Sequence, residues 1–175
     1  MNELRKISPV WEGRIQLPNE PRLNTIIRSG SMVSSLLDVL KQMNFSSYSL
    51  EQKAKILDAY WQGIRMVYSE AFENDNFRSY NLQKPLGVNV FHLLFPYVLQ
   101  LAHQQSGIMD KQIYANIMRD SLESLEFLDV NGDITYGLDC WRVGKSGAVS
   151  SYGTKTGHML IAEKIRRSLP VPQPE

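Results

Sequence analysis

A single cysteine, Cys140, leaves the chain of 175 residues without the means for an internal disulfide. One thiol with no Cys or His cluster around it also excludes a zinc framework and fits a reducing compartment, for which the cytoplasm is the default. Histidine is nearly as scarce. His92, His103 and His158 fall on three different predicted helices, and none has a partner at the i,i+4 spacing that sets two metal ligands on one face. A dominant charge is absent too: 19 Lys and Arg against 18 Asp and Glu give a net charge of +1. No global field therefore draws in nucleic acid or an anionic membrane, and electrostatic recognition has to come from a local patch. The longest apolar run, 86–101, is interrupted by Asn89, His92, Pro96 and Gln100, which argues against a membrane span and a membrane partner. The opening residues, MNELRKISPVWEGR, lack the apolar centre of a signal peptide, and there is neither an internal repeat nor a low-complexity tract.

What is present is helical patterning. The chain is 43% hydrophobic and long enough to bury one core, so a single domain over 1–175 is expected, with flexible tails at 1–8 and in the Pro-rich end 170–175. A first helix is predicted over 31–43, with Val33, Leu36, Leu37, Leu40 and Met43 on its inner face. A second begins at Ser49, where Ser49-Leu50-Glu51-Gln52 has the form of a capping box, and its stripe of Leu50, Ala54, Leu57, Trp61, Ile64, Tyr68 and Phe72 holds helical spacing. A polar loop, 74–84, leads to Pro85, suited to the first turn of a third, central helix that Pro96 should kink or end. A fourth is expected near 110–126 with Ile113, Tyr114, Ile117, Met118, Leu122 and Leu125 inward. A fifth spans about 157–169 with Ile161, Ala162, Ile165 and Leu169 inward and Lys164, Arg166 and Arg167 outward. Strand signals are thin: Trp11 to Leu17 alternates weakly, and Asn131-Gly132 within 127–141 suggests a two-residue hairpin turn. The fold class is mainly α, a bundle of about five helices with room for a small β-ribbon.

Charge is segregated along the chain. Residues 110–139 hold seven acids against Lys111 and Arg119, whereas 142–167 hold six Lys or Arg against Glu163 alone. The basic segment opens at Trp141-Arg142-Val143, continues as a Gly/Ser/Lys loop to Gly157 and ends in the fifth helix. Glycines and serines offer N–H groups and hydroxyls, the lysines supply charge, and the helix N-terminus adds a partial positive charge. Arg142, Lys145, Ser146, Lys155, Arg166 and Arg167 are thus the candidate contacts to nucleic-acid phosphates, set against an ordinary solvated loop and helix face.

Sharper motifs fail on spacing. Asp129-Val130-Asn131-Gly132-Asp133 places oxygens at the first three ligand positions of a calcium loop, but Ile134 stands where glycine is needed and Cys140 where a bidentate Glu belongs, so a plain turn explains it. Gly144-Lys145-Ser146 resembles the end of a phosphate-binding loop, yet Asp139 occupies the position of its leading glycine and no helix follows directly. Cys140 needs a nearby histidine to act as a nucleophile. The carboxylates Glu123, Glu126, Asp129 and Asp133 read as a solvated face. Tyr60, Trp61, Tyr68 and Phe72 have the spacing of core residues rather than of a base-stacking platform. No catalytic residue, metal site or cofactor is assigned.

Three segments, in order, carry a family resemblance: Ser8-Pro9-Val10-Trp11-Glu12-Gly13-Arg14-Ile15; Tyr60-Trp61 through Gln83-Lys84-Pro85-Leu86-Gly87-Val88; and Trp141 with its Gly/Ser loop and Ile161-Ala162-Glu163-Lys164-Ile165. Together they resemble the C-terminal helical half of DGQHR-domain proteins, which are related to the DndB proteins of DNA phosphorothioation systems. That family's N-terminal half is similar to the ParB/sulfiredoxin-like fold and carries the Asp-Gly-Gln-His-Arg motif, which this chain lacks. The resemblance implies a noncatalytic module linked to DNA modification or its regulation, working with an N-terminal half encoded elsewhere. Nucleic acid, a partner protein and a second copy of the chain are the expected partners.

Overall fold

Six α-helices and two small β-ribbons build the computed structural model, which describes residues 2–21, 25–42, 45, 47–73 and 76–173. The mainly α expectation holds, with one helix more than the sequence pattern suggested. The extra helix is α1 (Asn2–Ile7), within the expected N-terminal tail. It forms because Leu4 is fully buried against the rest of the core while Arg5 pairs with Glu20 at 2.8 Å. At the other end, the Tyr97 hydroxyl donates to the Pro170 carbonyl and Gln104 exchanges hydrogen bonds with Gln173, so the last described residues run along a helix.

β1 (Ile15–Gln16) pairs in parallel with β2 (Ile27–Arg28), which leads straight into α2 (Ser29–Gln42). The inner face of α2 is rotated from the predicted one, keeping Leu36 buried and Leu40 partly buried against the core. Met32, Leu36 and Val39 are buried, whereas Val33 and Leu37 face solvent; Met43 lies outside the described residues. The helix carries two adjacent apolar stripes, and sequence spacing alone does not say which one meets α4 (Pro85–Gln104).

α3 (Leu50–Val67) starts as expected. The Ser49 hydroxyl accepts from the Gln52 amide, and the Gln52 side chain accepts from the Ser49 amide at 2.8 Å. Leu50 is exposed in the first turn, and the helix ends at Tyr68, so Phe72 packs from a following 3-10 turn (Ser69–Phe72) instead of a sixth turn of α3. α4 has Pro85 in its first turn, where a missing N–H costs nothing, and runs on past Pro96 to Gln104 without ending. It is long and apolar enough to cross a membrane, but more than half of its most apolar stretch is buried inside the protein, which accounts for that composition.

α5 (Lys111–Glu123) is capped by the Asp110 carboxylate on the Gln112 amide and packs along α3; α6 (Lys155–Ser168) is capped by Thr154 and packs on α4. Between them β3 (Glu126–Leu128) pairs antiparallel with β4 (Ile134–Tyr136). The connection is longer than a two-residue turn. Asp129 to Asp133 form a five-residue loop in which one Asp129 oxygen accepts from the Asn131 and Asp133 amides at 2.7 and 3.0 Å. Gly132 supplies the positive φ of +87° that this loop requires.

Aromatic rings tie these elements together. Trp11 meets Trp61 edge-on at 4.8 Å, Trp61 meets Phe91 at 5.7 Å, and Phe91 stacks on Trp141 at 5.2 Å. The line runs from the N-terminal loop through α3 and α4 to the turn after β4, and all three tryptophans are fully buried. The aromatic residues with helical spacing are thus core, as their pattern indicated.

Candidate interaction surfaces

The segment from 76 to 84, expected as a polar loop, is a packed joint. Phe77, Tyr80, Asn81, Leu82 and Gln83 are buried, and Asn74 and Asp75 lie outside the described residues. The Gln83 amide donates to the Val10 carbonyl at 2.7 Å. The Asn81 backbone N–H donates to the Trp141 carbonyl at 2.7 Å, and its side chain to the Arg142 carbonyl and the Ser150 hydroxyl. The three segments that carry the family resemblance therefore converge on one buried hydrogen-bonded junction. A group buried this way has to be satisfied by the fold, which gives these residues an architectural task.

The Gly/Ser/Lys loop is packed as well. Gly144–Ser146 and Ala148–Tyr152 are two 3-10 turns; Ala148 and Val149 are buried, and the Gly147 and Ser150 amides donate to carbonyls within the loop. The expectation of free N–H groups fails at these positions because the loop closes on itself. A Cβ at Gly147 would lie 1.6 Å from the Arg142 carbonyl oxygen, so glycine is there for close backbone approach.

The six candidate contacts do not form one free cationic surface. Arg142 is held by Asp139 at 2.7 Å with its guanidinium beside the Tyr80 ring. Arg166 and Arg167 both grip Glu163, at 2.7 and 2.9 Å, and that double pairing holds the Glu163 carboxyl down at about 2. Lys164 points outward as expected, its ammonium 4.7 Å over the Phe127 ring. Lys145 and Lys155 are exposed, and neither forms an ion pair with a described residue. Ser146 lies in the first turn, and its side chain is outside the described set.

His92, Cys140 and Asp129 are each held in hydrogen-bonded surroundings. His92 is fully buried, with Nδ1 2.7 Å from the Ser35 hydroxyl and Nε2 accepting from the Trp61 indole N–H at 3.3 Å. An indole nitrogen only donates, so the proton of the neutral ring sits on Nδ1 and points at Ser35, whose own hydroxyl donates to the Met32 carbonyl. That is the opposite of what a base activating a serine requires. Burial pushes the His92 pKa down to about 3. The Cys140 thiol is buried among Thr135 and the Leu125 carbonyl, and burial raises its pKa. Asp129, the leading residue of the calcium-like pattern, spends both carboxylate oxygens on the Asn131, Asp133 and Asn131 side-chain donors of its own turn.

Two apolar surfaces were missed by the sequence reading. The first is the outer face of the β3–β4 hairpin, where Leu128 pairs across from Ile134 and Glu126 from Tyr136; Leu128, Val130, Ile134 and Tyr136 are exposed at 61, 58, 54 and 56%. The inner face is anchored by Phe127, 5.4 Å from Tyr152 and beneath Lys164. Glu126, Asp129 and Asp133 give the hairpin an acidic border. Period-two alternation on both strands was the available signal, and it places large apolar residues on the solvent side.

The second surface is a groove of about 410 Å³ between α4 and α6, lined by Leu93, Leu94, Met159, Leu160 and Ala162 with Arg166 at its edge. Leu93, Met159 and Leu160 are exposed. The groove continues through Leu93 into a cleft of about 340 Å³ that reaches α2 and includes Ser35, Lys155 and His158. His158 Nε2 is buried there without a hydrogen-bond partner. No family model, curated protein or solved structure matches the chain.

Proposed function

We propose that the chain is a noncatalytic helical module that docks onto another protein, within the DNA-modification setting that the DGQHR resemblance suggests. The observation that carries this reading is the β3–β4 hairpin, which turns Leu128, Val130, Ile134 and Tyr136 to solvent on a two-stranded ribbon that no further strand joins among the described residues. Exposed single apolar residues are ordinary, but a contiguous set on an unpaired ribbon is the kind of surface that protein partners cover. The tautomer of His92 and the inert setting of Cys140 support the noncatalytic part.

A double Leu128→Thr/Ile134→Thr substitution tests it. An outer face kept for docking contributes little to folding, so Tm should move by less than about 4 °C, the equivalent of roughly 1 kcal/mol in a protein of this size. A larger fall assigns the pair to the fold and removes the reading.

A second reading rests on Lys145 and Lys155, cations of the same basic segment that form no ion pair with a described residue. They would meet nucleic-acid phosphates, with binding that weakens steeply as salt rises.

A further inference from the structure

The two apolar surfaces differ in the sign of what surrounds them. The hairpin is bordered by Glu126, Asp129 and Asp133, and the Asp129 carboxyl is held below its usual range by the amides of its own turn. Lys164 sits over the inner ring of Phe127, away from the outer face of Leu128 and Ile134. The groove between α4 and α6 carries at its edge the bonded cluster of Glu163, Arg166 and Arg167, two cations against one acid, and the adjoining cleft adds Lys155, so its surroundings are net positive. One surface is an apolar projection with an acidic rim; the other is an apolar recess with a basic rim.

We infer that the occupant of the groove is the hairpin of a second copy of this chain. The proposal rests on the docking reading above and names its partner. Ile134 and Leu128 would enter beside Leu93, Met159 and Leu160, while the acidic rim of the hairpin faces the net-positive surroundings of the groove and its adjoining cleft, with Lys155 the cation there that pairs with no described acid. Complementary rims fix orientation and speed encounter, and the apolar contact supplies most of the affinity. Such a contact is heterologous: each copy offers one hairpin and one groove, so a pair retains a free hairpin at one end and a free groove at the other. Association then continues beyond the dimer unless a ring closes. The surfaces are small, which places self-association in the range of about 10–100 µM at low salt.

Sedimentation velocity of the full chain over a concentration series, at low and high salt, tests this with two exposed-site variants, Ile134→Asp on the hairpin and Met159→Asp in the groove. The parent should grow in mass with concentration, and more readily at low salt than at high salt, because salt screens the rims and leaves the apolar contact in place. Each variant alone should stay monomeric, because each lacks one half of the contact. Mixed, they should form a one-to-one pair that grows no further, since Ile134→Asp keeps an intact groove and Met159→Asp an intact hairpin. Melting curves check that both variants fold, and Leu128→Asp and Leu160→Asp replace any that does not. A parent that stays monomeric at roughly 200 µM, well above that range, overturns the proposal. Association that persists in Met159→Asp, or a mixture that stays monomeric, overturns it as well. A monomeric parent whose Leu128→Thr/Ile134→Thr variant keeps its Tm leaves the docking reading standing with a different protein as partner; a Tm that collapses removes both.

Discussion

The indole of Trp61 donates its only proton to Nε2 of His92, at 3.3 Å, in the centre of the protein. This bond fixes the histidine as a neutral acceptor on that side and leaves Nδ1 to hold α2 through Ser35 at 2.7 Å. Protonating His92 would place two donors face to face and bury a charge.

The consequence for pH follows from the direction of the shift. Burial lowers the folded-state pKa of His92 from 6.5 to about 3, so the neutral ring's contribution is complete above about pH 6.5 and is lost as pH falls towards 3. Across that window this group alone should remove about 1.4 kcal/mol of stability per pH unit. Urea denaturation of the parent and a His92→Gln variant at pH 7, 5 and 4 measures it. The variant should be less stable at pH 7, and the gap should narrow as pH falls. A gap that stays constant would mean that the ring is not held neutral.

Gly147 and Gly153 make a matched pair within one loop. A methyl at Gly147 would overlap the Arg142 carbonyl, the same oxygen that Asn81 and Ser150 use, whereas one at Gly153 meets nothing within 4 Å. Gly147→Ala should cost on the order of 3 kcal/mol, because the clash is with backbone that the Asn81 junction holds in place. Gly153→Ala should lie within about 0.5 kcal/mol of the parent or be slightly stabilising. Equal melting temperatures for the two variants would contradict the packed loop.

Cys140 should be silent to thiol reagents in the native protein. Its Sγ is enclosed by Thr135 and the Leu125 carbonyl, and burial disfavours the thiolate that does the reacting. Modification by a disulfide reagent at pH 8 should proceed only at the rate of opening and become fast in denaturant. Prompt labelling of the folded chain would show that the turn after β4 is open.

The capping box at Ser49, the inner stripes of α5 and α6 and the helical core aromatics were legible because each depends on local spacing, which a helix turns directly into a face. What was not legible depends on partners distant in the chain. Met32 rather than Val33 faces inward on α2 because α4 lies on that side, and no spacing within 29–42 records it. The loop at 76–84 looked polar because Asn81 and Gln83 are polar, but their amides are spent on the Trp141, Arg142 and Val10 backbone. Similarly, Arg166 and Arg167 read as free cations because their positions three and four residues after Glu163 were weighed as a charge sum and not as a bonded cluster. The hairpin's outward Leu128 and Ile134 were visible as letters; that strands this short leave one face uncovered became clear only from where Phe127 is anchored.

Glu163 decides between the two functional readings on α6. It ties Arg166 and Arg167 together, and because that pairing holds its carboxyl at about 2, mild acid does not release them; only substitution does. Glu163→Gln should therefore free two guanidiniums in the last turn of the helix that Lys155 begins. If the helix meets nucleic-acid phosphates, the anisotropy of labelled duplex DNA should show tighter binding by the variant at low salt. The slope of log affinity against log salt should steepen by up to about 1.8, the value for two added phosphate contacts. Glu123→Gln serves as the control, since it removes one negative charge from a pair with Arg119 on α5 and should leave binding as it was. A Lys145→Ala/Lys155→Ala variant should lose whatever the parent binds. Equal slopes for the parent and Glu163→Gln would take Arg166 and Arg167 out of any phosphate contact and leave the exposed Met159 and Leu160 as the part of that end of the helix that meets a partner.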